Sequence, residues 1–260
     1  MKSSYGEHVS VALDGRHVAI VVIDRPPNNH VTPDLIGGLA DALEALDGEN
    51  DCRAIVLATT GKVFCAGADL ASKLSDPADM SNVRALYDQA VRLFATQTPI
   101  VAAVQGAAVG AGLGLALVAD FRVATPEARF CANFVKLGYH PGFALTHTLP
   151  RLVGAQRAQL MFLTGRRIKP DEALAWGLID EIAPQDGLMD AARALAREIA
   201  EIAPMAVTAT RNTLRADLAD AARAATAAEF QQQAILRVTD DYAEGILAVS
   251  ERRPGNFAGR

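Results

Sequence analysis

The chain has 260 residues, half of them hydrophobic and about a fifth charged, with a formal net charge of −5. That length and apolar content support a sizeable core and one large domain, or one domain with a small extension. The acidic balance excludes a whole-chain basic face for nucleic acid. The three cysteines, Cys52, Cys65 and Cys131, have neither metal-ligand spacing nor an even count, which fits reduced thiols in a cytoplasmic protein.

The opening residues "MKSSYGEHVSVALDG" are polar, with no apolar core of a signal peptide. "VSVALDG" alternates apolar and polar residues and ends in Asp-Gly, and "HVAIVVID" follows, so the two read as a hairpin. Thr32 before Pro33 marks a helix start, with helical spacing through "PDLIGGLADALEAL". "CRAIVLAT" reads as a strand buried on both faces. Residues 80–96 read as an amphipathic helix that ends near Thr98-Pro99.

"PIVAAVQG" is a second buried strand, "GLGLALVAD" a helix and "FRVAT" a third strand. Gln105 and four glycines interrupt residues 100–119, so a buried strand and helix fit that stretch better than a membrane span. The strand–helix rhythm predicts right-handed crossovers and a mostly parallel sheet. Beyond about residue 190 the chain reads as alanine-rich helices, expected to pack on a core of their own or on a neighbouring subunit.

Two loops carry the chemistry. "GKVFCAGADL" (61–70) follows the strand "AIVLATT", and "QGAAVGAGLG" (105–114) follows "PIVAAV". Both leave the carboxyl ends of predicted parallel strands, the usual ligand edge of an α/β sheet. Small residues let the backbone approach a ligand, and the second loop opens a helix whose free amides favour negative charge. One amide from each loop would hold a single oxygen as charge develops on it. Tight strand–helix packing alone also explains such residues.

The segments "IDRPPNN", "AIVLATTGKVFCAGADL", "TPIVAAVQGAAVGAGLGLALVADFRVAT", "LPRLVG", "DEALAWGLIDEI" and "SERRPGNF" occur here in that order. Over nearly its whole length the chain thereby resembles the crotonase superfamily, the enoyl-CoA hydratase/isomerase family. The resemblance implies an α/β fold: a spiral of ββα units over 1–190, with a C-terminal helical region over 191–260 that makes oligomer contacts. It implies homotrimers or dimers of trimers, and an acyl-CoA substrate; the net charge argues against a nucleic-acid partner, and no run of 18 apolar residues points to a membrane. Coenzyme A enters as part of the substrate, with no prosthetic group or metal.

The resemblance places the oxyanion-binding amides at Ala68 and Ala111. It lays the pantetheine and adenine ends of coenzyme A along Ala66, Ala68, Asp69, Leu70 and Ala71, with Arg25 near the nucleotide. Arg252 would approach a phosphate, a role that suits a guanidinium; a solvated helix end is the other reading.

Hydratases of the family work with two glutamates, whose positions align with Gly114 and Phe134. Neither residue here transfers a proton. Other branches place an acid near Pro141 or Gly142, and this chain has "GYHPGF" there. That leaves His140 as the candidate base, since imidazole titrates near neutrality, or as a turn residue bonded to a backbone carbonyl. Tyr139 would orient substrate or line an apolar wall, and Gly114, Phe134, Tyr139 and Gly142 are the expected substrate pocket. His30 and His147 read as structural, and Asn133 and Lys136 as polar contacts at most. The leading expectation is therefore an enzyme of hydratase/isomerase type that works through enolate stabilisation. The alternatives are an acyl-CoA-binding protein without turnover, another thioester reaction, or an RNA-associated member, which the net charge opposes.

Overall fold

Alternation within the central strands builds two cores. In the computed structural model, which describes residues 2–68 and 78–260, β1 (Ser4–Tyr5), β2 (Val9–Leu13) and β3 (Val18–Ile23) form an antiparallel meander. The β2–β3 turn is closed by the Asp14 carboxylate, which accepts from the amides of Arg16 at 2.8 Å and Val18 at 3.2 Å. Helix α1 (Pro33–Asp47) starts as the sequence predicts, with Thr32 Oγ1 accepting from the Leu35 amide. β4 (Ala54–Thr59), α2 (Ser81–Phe94) and β5 (Ile100–Val104) follow.

The segment 105–116 departs from the expected loop and long helix. Ala107–Val109 is a short strand, β6, and α3 spans only Ala111–Ala116. β7 (Phe121–Ala124) returns to the main sheet, whereas β8 (Arg129–Cys131) pairs in parallel with β6. The order is β1-β2-β3-β4-β5-β7 in the main sheet, parallel from β3 onward.

A 3-10 helix, Asn133–Leu137, leads to α4 (Leu145–Val153) and α5 (Ala155–Thr164). Then come β9 (Arg167–Ile168), α6 (Pro170–Ala175) and β10 (Glu181–Ile182). β9 completes the small sheet beside β8, and β10 extends the large one beside β7. The last helices are α7 (Leu188–Ala200), α8 (Pro204–Leu214), α9 (Leu218–Leu236) and α10 (Asp240–Ser250).

One face of the large sheet contributes Val21, Ile23, Ile55, Leu57, Ala102 and Val104 to a core shared with α1 and α2. The alternate residues Val18, Ile20, Val56, Val101, Ala103 and Val123 face Leu188, Ala192, Ala196 and Ala200 of α7. Period-two alternation thus feeds both layers. The first C-terminal helix is therefore the second cover of the sheet, not part of a separate helical core. α9 packs on α2 and α4, and α10 packs on the 3-10 helix.

Asp120 joins the sheet to α8 and its end. Its carboxylate accepts from the Ile100 amide at 2.8 Å, from Arg211 Nε at 2.9 Å and from Arg215 Nη1 at 2.7 Å. Burial works against the charge, but the two guanidinium groups prevail and hold this carboxyl below the usual carboxylate range. The three groups form a buried structural anchor.

Candidate functional site

The two loops are locked side by side by backbone pairing. The Cys65 amide donates to Ala107 O at 3.0 Å, and the Val109 amide donates back to Cys65 O at 3.0 Å. Two buried side chains clamp the first loop. Asn29 Nδ2 donates to Thr60 O and Val63 O, each at 2.8 Å. Gln105 Nε2 reaches Thr59 Oγ1 at 2.7 Å and the carbonyls of Gly61 and Val63 at 3.2 Å. Neither clamp stands out by residue type, although each lies next to a segment that does.

The clamped loops fix the direction of two amides. Gly67 O accepts from the Val31 amide at 2.9 Å and lies 3.1 Å from His30 Nδ1. A trans peptide points its N–H opposite to its C=O, so the Ala68 N–H faces away from these partners. Gly110 O accepts from the Gly114 amide at 3.2 Å, as the first carbonyl of α3. The Ala111 N–H therefore projects from the start of that helix. Among the described residues, neither amide donates a hydrogen bond within the protein. Both residues line one cavity of about 290 Å³.

Two glycines make this approach possible. Gly67 has φ +90°, and a Cβ there would meet Val109 O at 2.8 Å. Gly110 has φ 56° and ψ −122°, outside the region that L side chains adopt.

The cavity also takes in Ala66, Leu86 and Tyr87, Phe134, Tyr139 and Gly142, with Gln233 and Ile246 from the C-terminal helices. Phe134 stands where the resemblance sets a glutamate, with its ring 3.6 Å from where a Cβ on Gly110 would lie. Gly114 is not part of the wall. A Cβ there would lie 2.7 Å from the Phe143 ring, which fills that space. A side chain at Gly142 would collide with Tyr87 Oη and lie 2.6 Å from Gln233 Nε2. At Gly114, Phe134 and Gly142, three of the positions where the resemblance sets an acid, aromatic or amide groups take up the space. Among the described residues, no aspartate or glutamate lines the cavity.

His140 also lies outside the wall. Its Nδ1 is 2.8 Å from Pro141 O, which is the turn role and not that of a base facing the cavity. His30 does line the cavity, but Nδ1 faces Gly67 O and Nε2 lies 3.3 Å from Asn28 Nδ2. These partners assign the proton to Nδ1 and make Nε2 an acceptor. Cys65 lies beneath the loops, where burial pushes its thiol up to about 12 and removes it as a nucleophile.

Arg25 lies outside the cavity and donates from Nη1 to His30 O at 2.9 Å. It lines a separate polar hollow with Glu7, His8, Thr32 and Asn82. Arg252 is exposed after α10, and the structure does not bring it to the cavity wall. The expected coenzyme A contacts Asp69, Leu70 and Ala71 lie outside the described residues.

The turn between the 3-10 helix and α4 is pinned from α9. Phe143 and Ala144 both have positive φ, 62° and 57°. Glu229, 1% exposed, accepts from the Ala144 and Thr146 amides, each at 2.9 Å, and from Thr146 Oγ1 at 2.6 Å. One helical turn later, Gln233 Nε2 donates to His140 O at 3.0 Å, while Gln233 Oε1 accepts from Tyr87 Oη at 2.8 Å.

The paired loops thus leave the carboxyl edge of a parallel sheet and, among the described residues, bring two amides without a partner to the lining of one cavity. Residues 14–260 match the enoyl-CoA hydratase/isomerase family, and the chain belongs to it. It is 37% identical over 253 residues to a putative enoyl-CoA hydratase of Thermus thermophilus, covering 95% of this chain and all of that one. It is 34% identical to the (E)-benzylidenesuccinyl-CoA hydratase of Thauera aromatica, covering 94% of this chain and 96% of that one. A crystal structure of an enoyl-CoA hydratase/isomerase from Pseudoalteromonas atlantica superposes with a TM-score of 0.85 at 30% identity, covering 97% of this chain and all of that one. The crotonase-type fold expected from the sequence is thereby established.

Proposed function

We propose that the protein binds an acyl-CoA thioester and polarises its carbonyl between the amides of Ala68 and Ala111. The carrying observation is the pair of unspent N–H donors on loops that Asn29 and Gln105 hold rigid. Where a thioester reaction places negative charge on the carbonyl oxygen, that charge falls between these two amides. Donors fixed in advance at that oxygen stabilise the enolate without reorganising. The relatives named as CoA-thioester hydratases support the substrate class.

Among the described residues that line the cavity, no pair of carboxylates is present to perform hydration. The reading is therefore a thioester reaction that passes through an enolate, not addition of water by the two-glutamate route. His140 acts by holding the turn. A second reading, acyl-CoA binding without turnover, is favoured by the same lack of carboxylates.

The test is Ala111→Pro, which deletes one donor at the first position of α3, where helices tolerate proline. Turnover of a panel of enoyl-CoAs, followed by the conjugated thioester absorbance and by product analysis, should fall about a hundredfold or more. His140→Ala should leave it within about twofold. Calorimetric acyl-CoA binding with no turnover of any thioester would move the conclusion to the second reading. No binding at all would overturn both.

A further inference from the structure

Among the described residues, the cavity wall includes a buried phenol whose O–H has no acceptor. Tyr139 is 6% exposed, and its buried phenol oxygen has the Arg237 guanidinium as a polar neighbour but no acceptor for its own O–H. A buried hydroxyl in that state costs free energy that a ligand recovers. Tyr87, the neighbouring phenol on the wall, already donates to Gln233. Tyr139 is therefore the wall's uncommitted O–H donor among these two.

Behind it sits a cation with no counter-ion among the described residues. Arg237 is 9% exposed, and its Nε is buried with no acceptor. Its Nη1 reaches only Met80 Sδ, at 3.7 Å. Among the described residues no carboxylate pairs with it, whereas Arg92, Arg122, Arg197, Arg211, Arg215 and Arg253 all have one. The guanidinium lies close enough to the Tyr139 and Tyr242 phenols to favour their ionised forms, although burial is the larger influence and raises both. The Tyr139 and Tyr242 rings pack 5.0 Å apart, so this phenol is held in place. An unpaired buried charge is expensive, and an anion nearby offsets it.

We infer that Tyr139 reads a carboxylate on the acyl portion of the substrate, with Arg237 supplying the opposite charge from behind, so that the preferred ligand is a carboxyacyl-CoA. This rests on the acyl-CoA reading above. It adds a second anchor, away from the thioester carbonyl. Tyr139 donates to the carboxylate oxygen, and the Arg237 field favours the charge in a wall that is otherwise apolar. Tyr139 is a specificity-determining residue here and not a catalytic one.

The experiment is calorimetric titration of the full-length protein with straight-chain acyl-CoAs and their ω-carboxylated counterparts of equal chain length. The wild type should bind the best carboxyacyl-CoA about tenfold or more tightly than its uncharged match, the usual scale for a charge-assisted hydrogen bond. In Tyr139→Phe the ratio should collapse toward one, because the ring stays and only the donor leaves. Arg237→Gln should lower the ratio as well, and Arg237→Lys should restore part of it. A general loss of fold would weaken both ligands together and leave the ratio unchanged.

Equal binding of the two series by the wild type would overturn the inference and leave the acyl-CoA reading standing. So would a preference that survives Tyr139→Phe. Binding of neither series would sink both.

Discussion

Gly114 and Phe143 share one space. A Cβ on the glycine would lie 2.7 Å from Cδ1 and 2.9 Å from Cβ of the phenylalanine, which is fully buried. The missing side chain at 114 is matched by a ring from a turn 29 residues further along, so the site holds no gap that waits for an acid. Gly114→Glu should therefore destabilise the fold by about 2 kcal/mol or more, through overpacking and a buried carboxylate. It should not create hydratase activity. Urea unfolding beside the enoyl-thioester absorbance assay checks both parts. A stable, active variant would mean that the ring yields easily.

Glu229 holds the strained turn through three hydrogen bonds. Glu229→Gln preserves volume but puts an amide donor against one backbone donor. The expected loss is about 1–3 kcal/mol. Hydrogen exchange at the Ala144 and Thr146 amides should accelerate in the variant. Unchanged protection would show that the turn stands without its pin.

Tyr139→Phe makes the opposite prediction for the free protein. Deleting a buried hydroxyl whose O–H has no acceptor removes an unmet polar group. The variant should melt at the same temperature as the wild type or higher, by differential scanning calorimetry without ligand. A clear drop would reveal a hidden partner for that oxygen.

Asp120 supplies a pH signature. Its folded-state pKa is lowered because Arg211 and Arg215 outweigh burial. The unfolded chain then takes up a proton on this group before the folded one does. Its contribution is full above about pH 4, near the unfolded carboxylate value, and is lost as pH falls through the lower folded value. In Asp120→Asn this part of the acid dependence should vanish, while stability at neutral pH drops because Arg211 and Arg215 lose their carboxylate. Denaturant midpoints across that acid range test both.

Much of this was written locally in the chain. Apolar β-branched runs gave the parallel strands, Thr32-Pro33 gave the start of α1, and the small residues of 66–68 and 106–112 marked both loops. Period and turn chemistry act over a few residues, so they can be read without a fold. The three-residue strand Ala107–Val109 was hidden because its pairing with Arg129–Cys131 is what makes it a strand. The space around Gly114 was hidden for the same reason: nothing near it in sequence names Phe143. His140 read either as a base or as a turn residue, and the position of its ring beside Pro141 O, which depends on the fold of the turn, favours the second.

The two grips from α9 have a wider consequence. Glu229 and Gln233 lie more than eighty residues from the turn they hold, on a helix separate from the loops that carry the Ala68 and Ala111 amides. The loops proposed to polarise a thioester and the turn beside the proposed acyl wall are thus encoded in separate stretches of chain. Substitutions confined to α9 and the turn can retune which acyl groups fit while the carbonyl cradle stays as it is. In a fold of this kind, a lineage can change its diet without rebuilding its chemistry.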